Sequence, residues 1–364
     1  MRFTISRQEL LEVASNLQNL VPLKPVLPIL SHILVETRGT ELLFTATDLM
    51  IGMSYRAEAR VEKEGRATLP ARRFFQLIKE LPHASLEVIA KGQTIEVIAG
   101  SSIFKLHGLR HEDYPQLPNF INSTKIKISS SILKEALWKT SFAVSREDNR
   151  YTLMGLFMSL HDGKATFVGT DGKRLAKAQI SLPSSFSTNV IIPIKAVEEM
   201  QKLLSTTVDF FLFLMPDKIA LETEKTLFIT KLLSGESPNY DRLIPQNSPF
   251  SVNIQREELI SLLKQVSLFT GDQNHAVRFL FRKGELLLEA ANSEVGEGHV
   301  TMPVDFTGEE LQIAFNPSYF IDILRHSHDE TIKLQLTDPF NPGLITDSSE
   351  ALFILMPLRI QTDS

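Results

Sequence analysis

Two hydrophobic periods alternate along this chain, one belonging to helices and one to strands. Leu10, Val13, Ala14 and Leu17 fall at i, i+3, i+4 and i+7, as do Phe74, Leu77, Ile78 and Leu81, and again Leu259, Leu262, Leu263 and Val266. That spacing gives a helix one apolar stripe and leaves its other side wet. Ser6 with Glu9 forms a capping box ahead of the first helix, while Pro70, Pro193 and Pro317 stand near the starts of three later ones. Between them lie alternating or apolar runs such as HILVET, ELLFTAT, SLEVIAK, QTIEVIAG, ATFVGT, KIALETE and ELLLEAA. Their length, β-branched content and Gly or charged boundaries predict strands.

The pattern is stated three times. A short strand running into an amphipathic helix begins at Phe3 (FTISRQELLEVASNL), Ile126 (IKISSSILKEALWKT) and Val252 (VNIQREELISLLKQV), at spacings of 123 and 126 residues. A second strand and helix begins at Thr68 (TLPARRFFQLIKELP), Ile191 (IIPIKAVEEMQKLLS) and Ile313 (IAFNPSYFIDILRHS), at spacings of 123 and 122. A period this long means whole domains rather than solenoid units. The expected boundaries are 1–120, 121–247 and 248–364, with short polar, Pro-bearing linkers near 118–125 and 245–251. Two helices and many strands per third predict an α+β fold of three repeated domains, each with its helices on one face of antiparallel sheets.

Composition narrows the chemistry. The chain is 43% hydrophobic and 22% charged with a net charge of −5, as in ordinary globular proteins. No apolar run reaches the ~18 residues that a spanning helix needs, and the first residues lack a signal peptide's apolar core, so no membrane role and a cytoplasmic location are expected. The absence of cysteine removes disulfides, thiolate nucleophiles and cysteine-ligated zinc. There is no Gly-rich phosphate loop, HExxH or GxSxG. Ser131 and Lys134 form an S-x-x-K without its companion motifs, which reads as a Ser-rich helix start. His107 with His111 and His326 with His328 lack further ligands at metal-binding spacing and read as surface histidines. Asp48 and Asp171 occupy equivalent places in two repeats, where Thr-Asp after a strand is turn chemistry. No catalytic residue, metal or cofactor is expected.

Several segments, in order over essentially the whole chain, resemble the bacterial DNA polymerase III β subunit, the sliding-clamp family. They are KPVLPIL from Lys24, TLPARRFF from Thr68, RYTLMG from Arg150, GTDGKRLA from Gly169, SPNYDRLIP from Ser237, FNPSY from Phe315 and LMPLRI from Leu355. The resemblance implies a ring-shaped head-to-tail homodimer that encircles duplex DNA without regard to sequence. It also implies that the ring tethers the replicative polymerase α subunit, clamp-loader subunits and repair polymerases through short linear peptides, with no catalysis of its own.

The same resemblance implies a peptide groove formed by Leu153, Thr170, Gly172, Lys173, Arg174, Leu175, Pro238, Arg242, Leu243, Asn316, Tyr319, Ile354, Met356, Pro357, Leu358, Arg359 and Ile360. Adaptable Met, Leu and Ile suit several apolar peptides, while Arg174 and Arg242 are expected to fix polar ends. On pattern alone LFILMPLRI also reads as an ordinary final core strand. Lys24, Arg150 and Tyr151 match family loop positions near DNA; Arg72, Lys79, Arg146 and Lys195 join them on charge and placement. The resemblance further implies subunit joints where an edge strand with Phe104 and Leu106 of one copy meets Leu268 and Phe269 of the next, with Arg73 facing a thin acidic group of Glu294 and Glu297. Thr152 and Lys173 depart from frequent family residues, and Gln361, Thr362, Asp363 and Ser364 extend past the motif.

Geometry sets a condition on that ring. Neighbouring helices about 9 Å apart make six into a circle roughly 17 Å across and twelve into one roughly 34 Å across. After about 5 Å of helix body on each side, only the twelve-helix ring of two chains leaves room for a duplex. The six helical segments together carry +2 in a chain of −5. Such a balance suits a bore that draws DNA in without gripping it, and it equally suits a scatter of solvated charge. A three-domain enzyme with an unfamiliar site and a peptide scaffold that ignores DNA remain as alternatives.

Overall fold

The computed structural model describes residues 1–120, 124–182, 186–204, 209–236, 239–245, 248–271 and 275–359. The strands in chain order are β1 Arg2–Ser6, β2 His32–Arg38, β3 Glu41–Thr47, β4 Ile51–Glu58, β5 Arg60–Lys63, β6 Arg66–Pro70, β7 Ser85–Lys91, β8 Thr94–Ala99, β9 Ser102–His107, β10 Thr124–Ser129, β11 Gly155–His161, β12 Lys164–Thr170, β13 Arg174–Ser181, β14 Thr188–Pro193, β15 Asp209–Leu214, β16 Lys218–Glu222, β17 Thr226–Lys231, β18 Phe250–Gln255, β19 Val277–Arg282, β20 Glu285–Asn292, β21 Gly296–Pro303, β22 Leu311–Phe315, β23 Thr331–Leu336, β24 Gly343–Thr346 and β25 Leu352–Leu355. The helices are α1 Arg7–Gln18, α2 Ala71–Glu80, α3 Ser130–Ser141, α4 Ile194–Leu203, α5 Arg256–Val266 and α6 Pro317–Arg325.

Local chemistry starts these helices where the pattern places them. The Ser6 hydroxyl accepts from the Glu9 amide at 3.1 Å ahead of α1, but the expected capping box is only half formed, since the Glu9 carboxylate accepts from the Glu58 amide at 3.4 Å. The Asn316 side chain accepts from the Ser318 amide at 2.9 Å ahead of α6, whose first residue is Pro317. The apolar stripes of α1 and α5 are buried at Leu10, Val13, Ala14 and Leu17, and at Leu259, Ile260, Leu263 and Val266.

The chain folds into two compact bodies that cut across the central third. One holds residues 1–130 with 206–232, the other 131–205 with 233–364. The first contains a five-stranded sheet, β5-β1-β7-β8-β9, and an eight-stranded sheet, β10-β15-β16-β17-β4-β3-β2-β6, with α1 against α2. The second contains an eight-stranded sheet, β14-β11-β12-β13-β25-β24-β23-β18, and a four-stranded sheet, β21-β20-β19-β22, with α5 against α6. All pairings are antiparallel; β17 joins β4 with Thr226 opposite Tyr55, and β25 joins β13 with Leu355 opposite Arg174. Strands of successive repeats thus hydrogen-bond into one sheet, a feature absent from the periodicities.

In the second body, β13 and β25 sort their residues to two faces. Ala176, Ala178 and Phe353 enter a core with α5 and α6. That core centres on Phe279, which stacks on Phe320 at 5.2 Å and meets Phe315 edge-on at 5.3 Å. Leu175 and Ile354 point the other way into a smaller cluster with Phe157, Val168 and Ile191. This second apolar face, away from the helices, is where the candidate groove lies.

Candidate functional site

The candidate groove residues are arranged around the turn between β12 and β13. The Asp171 carboxylate accepts from the Lys173 and Arg174 amides at 2.9 and 3.0 Å. Thr170 Oγ1 accepts from the Gly172 amide at 3.1 Å and donates to the Arg174 carbonyl at 2.7 Å. These bonds force Gly172 to φ +82°, where a side chain is strained, and a Cβ there would sit 3.2 Å from the Arg150 guanidinium. The Met356 amide donates to the Lys173 carbonyl at 2.9 Å, and the Leu358 amide donates to Ala314 at 2.8 Å, which fastens the segment after β25.

Arg174 is the hub. Its Nη1 donates to Asp322 at 2.7 Å, its Nε to Asp171 at 3.1 Å and its Nη2 to the Phe142 carbonyl at 3.1 Å. Its guanidinium lies 4.6 Å from the Tyr319 ring centre and 5.4 Å from that of Phe142. A side chain 10% exposed and held by two carboxylates braces the groove wall more than it reaches for a ligand. The floor is Leu175 opposite Ile354, with Leu344 beyond, and Tyr240 rests on Phe157 at 5.8 Å. Burial raises the Tyr240 phenol above its ordinary range, with nearby Asp241 adding to the effect. Leu153 is buried, whereas Leu243 and Met356 are 43% and 37% exposed.

Of the expected groove residues, Leu153, Thr170, Gly172, Lys173, Arg174, Leu175, Arg242, Leu243, Asn316, Tyr319, Ile354, Met356, Pro357, Leu358 and Arg359 all lie in the second body. Pro238 and Ile360, like the tail Gln361–Ser364, fall outside the described residues. Sequence reasoning missed Phe142, Lys177, Tyr240 and Asp322. Asp322 had a usable signal, since it follows Asn316 and Tyr319 at three-residue steps along α6. Phe142 had none, because its carbonyl and ring act through tertiary packing.

The other charged candidates are exposed, in two groups. In the first body, Lys24 stands in a loop between exposed Leu23 and Val26, and Arg72 Nη2 reaches the Val21 carbonyl at 3.4 Å. Arg72 and Lys79 line a cavity of about 730 Å³ with Gln18, Asn19 and Phe75. In the second body, Arg146 pairs with Glu198 at 2.8 Å, one turn along α4 from Lys195. Arg150 pairs with Asp148 at 3.0 Å, and its hydrogen bonds hold that carboxyl below the usual range. Tyr151 is 75% exposed.

Of the interface candidates, Phe104 and Leu106 lie on β9, an edge of the five-stranded sheet. Leu106 is buried in its own chain, while Ile103 is 60% exposed. Leu268 is 73% exposed on the turn Ser267–Phe269, and Phe269 packs over Gly298 of edge strand β21. Arg73, Glu294 and Glu297 are exposed.

The histidine expectation needs one correction. His328 is exposed, but His326 is half-buried, stacked on Phe142 at 4.0 Å, because α6 ends against α3. Among the described residues no three His, Asp or Glu side chains converge as metal ligands, and no helix is long and apolar enough to cross a membrane.

Comparison with known proteins covers the chain end to end. Family models of the DNA polymerase III beta subunit match its N-terminal domain to residues 1–118, its central domain to 127–239 and its C-terminal domain to 241–359. The beta sliding clamp of Chlamydia muridarum (strain MoPn / Nigg) is 49% identical over 366 aligned residues, covering 100% of both chains. The chain belongs to the beta sliding clamp family. A crystal structure of the DNA polymerase III subunit beta from Pseudomonas aeruginosa superposes with a TM-score of 0.95 at 29% identity, over 99% of this chain and 100% of that one. The subunit from Thermotoga maritima gives 0.93 at 26%, over 99% of each. The three repeats are therefore clamp domains, and the chain is a DNA sliding clamp, a non-catalytic processivity factor in DNA replication.

Proposed function

We propose that this clamp closes head to tail as a homodimer around duplex DNA, with domains spanning 1–120, 121–247 and 248–364, and acts in the cytoplasm at the replication fork. Lys24, Arg72, Lys79, Arg146, Arg150, Tyr151 and Lys195 face the DNA. Their scattered, mostly exposed charge favours loose, sequence-independent attraction over a fixed grip. Edge strand β9 of one copy meets edge strand β21 of the next, near Leu268 and Phe269, which covers two otherwise open edges. The direct test is to load the protein onto nicked circular DNA with a clamp loader and then cut the circle once. Release on linearisation is expected for a closed ring, and retention would sink the topological reading.

The groove takes short linear peptides of the polymerase α subunit, clamp-loader subunits and repair polymerases. One observation carries this reading: Met356 and Leu243 are exposed directly beyond a buried apolar cluster, Met356 two residues past its Ile354 and Leu243 on the turn whose Tyr240 packs against it, and Arg174 beside Leu175 is already satisfied. An apolar peptide side chain gains burial there without disturbing the brace. Met356→Ala is expected to weaken a labelled polymerase-derived peptide about tenfold, consistent with losing ~1.5 kcal/mol of apolar burial. Equal affinities in a fluorescence anisotropy titration would refute the assignment.

A further inference from the structure

The sheet that carries the groove has a second opening. β13 runs to Ser181, yet β25 pairs with it only from Arg174 to Lys177. Beyond Lys177 the neighbouring strand β25 ends, because residues 347–351 close into a turn held by their own hydrogen bonds. The Ser349 amide donates to Asp347 at 2.9 Å, and the Ala351 amide donates to Ser349 at 3.2 Å. On that side Ala178–Ser181 has no strand partner among the described residues, while its other side pairs with β12. Beside this free edge lies a cavity of about 320 Å³. Its apolar walls are Ile132 and Ala136 of α3, Ala178 and Ile180 of β13, and Ala351. The groove residues are not among its lining.

We propose that this opening is a second peptide site. An extended segment adds as a short strand along Ala178–Ser181 and places one apolar side chain in the cavity. Main-chain bonds to an exposed edge supply affinity, and a pocket for alternate side chains supplies selection. Ala178 and Ile180 face the α3 side of the sheet, so the residue of an added strand beside them points into the same cavity. Charge chooses the flanks. Lys139 is neutralised by Asp347 at 3.0 Å inside the wall, so the rim is acidic at exposed Glu350, with Glu135 beside it 3.2 Å from His328. The occupant is therefore an extended peptide with a central aliphatic residue flanked by Lys or Arg. The half-exposed Ile132 at the mouth fits a surface that a partner covers.

The test uses the full-length protein and the capped pentapeptide Lys-Val-Leu-Val-Lys, followed by NMR. Two further peptides carry N-methyl groups on alternate amides, one in each phase. Saturable shifts are expected at the methyl groups of Ile132, Ile180 and Ala351 and at the amides of 178–181. One methylation phase should bind at least tenfold more weakly and the other like the parent, since only alternate amides face an edge. Glu350→Lys, an exposed change, should weaken the parent peptide severalfold. Shifts confined to Leu243 and Met356, equal binding of both methylated phases and parent, or no saturable shifts up to millimolar peptide would each overturn the proposal.

Discussion

At the scale of single residues, one turn shows how a backbone conformation is imposed. Thr47, Asp48 and Leu49 repeat the hydrogen bonds of Thr170, Asp171 and Gly172: Asp48 accepts from the Met50 and Ile51 amides at 3.0 and 2.7 Å. Leu49 is accordingly held at φ 76°, close to the 82° of Gly172, although a leucine there is strained. The Asp-centred turn was readable from sequence; that it would override the residue at its third position was not. His326 illustrates a second local effect. Burial lowers its imidazole below the ordinary 6.5, outweighing the contact of Nδ1 with the Asp322 carbonyl at 2.7 Å. The folded state therefore prefers the neutral ring. The unfolded chain binds the proton first as pH falls below about 6.5, so this contribution is present above that pH and is lost below it. Between about pH 7 and pH 5, thermal melting of His326→Phe, which keeps a stacking ring, should fall less steeply than that of the unsubstituted protein. Parallel slopes would refute the account.

At the scale of elements, helices were the most readable part, since their apolar stripes and caps are local. Strands were readable as segments, but not the junctions β4–β17 and β13–β25, because pairing between repeats depends on edges that no short-range pattern marks. The site followed the same division. Thr170, Gly172, Asn316 and Met356 came from recognisable motifs and Asp322 could have been read from its spacing along α6, while Phe142 reaches Arg174 only through tertiary packing. Lys139 was equally hidden. Its apolar helix neighbours predict burial and its charge predicts exposure, and the structure resolves the conflict by burying it against Asp347, Ser349 and, at 3.8 Å, Glu135. Burial alone would raise the Asp347 carboxyl, but hydrogen bonds from Ser349, Lys139 and Ser327 outweigh it and leave it below the usual range. Lys139→Met is expected to cost about 3–5 kcal/mol, because it strands a buried carboxylate. Adding Asp347→Asn should recover much of that loss, and urea midpoints of the two variants make the comparison. A double variant no more stable than the single one would mean that packing, not charge, governs this position.

At the scale of the whole molecule, the proposed ring ties stability of assembly to few residues. A head-to-tail homodimer has two identical joints, so any change at the joint enters the closing free energy twice. Leu268 is 73% exposed in the single chain, and replacing it should leave the fold intact. Burying such a side chain contributes about 1.5–3 kcal/mol, and a glutamate would add a charge on the turn that packs against β21, the strand that carries Glu297. Counted at both joints, Leu268→Glu should raise the dimer dissociation constant by about 100-fold or more. Sedimentation at low micromolar concentration should then show monomer where the unsubstituted protein is dimeric. The same variant should fail to stay on circular DNA yet bind polymerase-derived peptides with unchanged affinity, because the groove lies wholly within one chain. A variant that remained a dimer would remove Leu268 from the joint. One that became monomeric and still remained on circular DNA would count against encirclement itself, since an open chain has no topological hold.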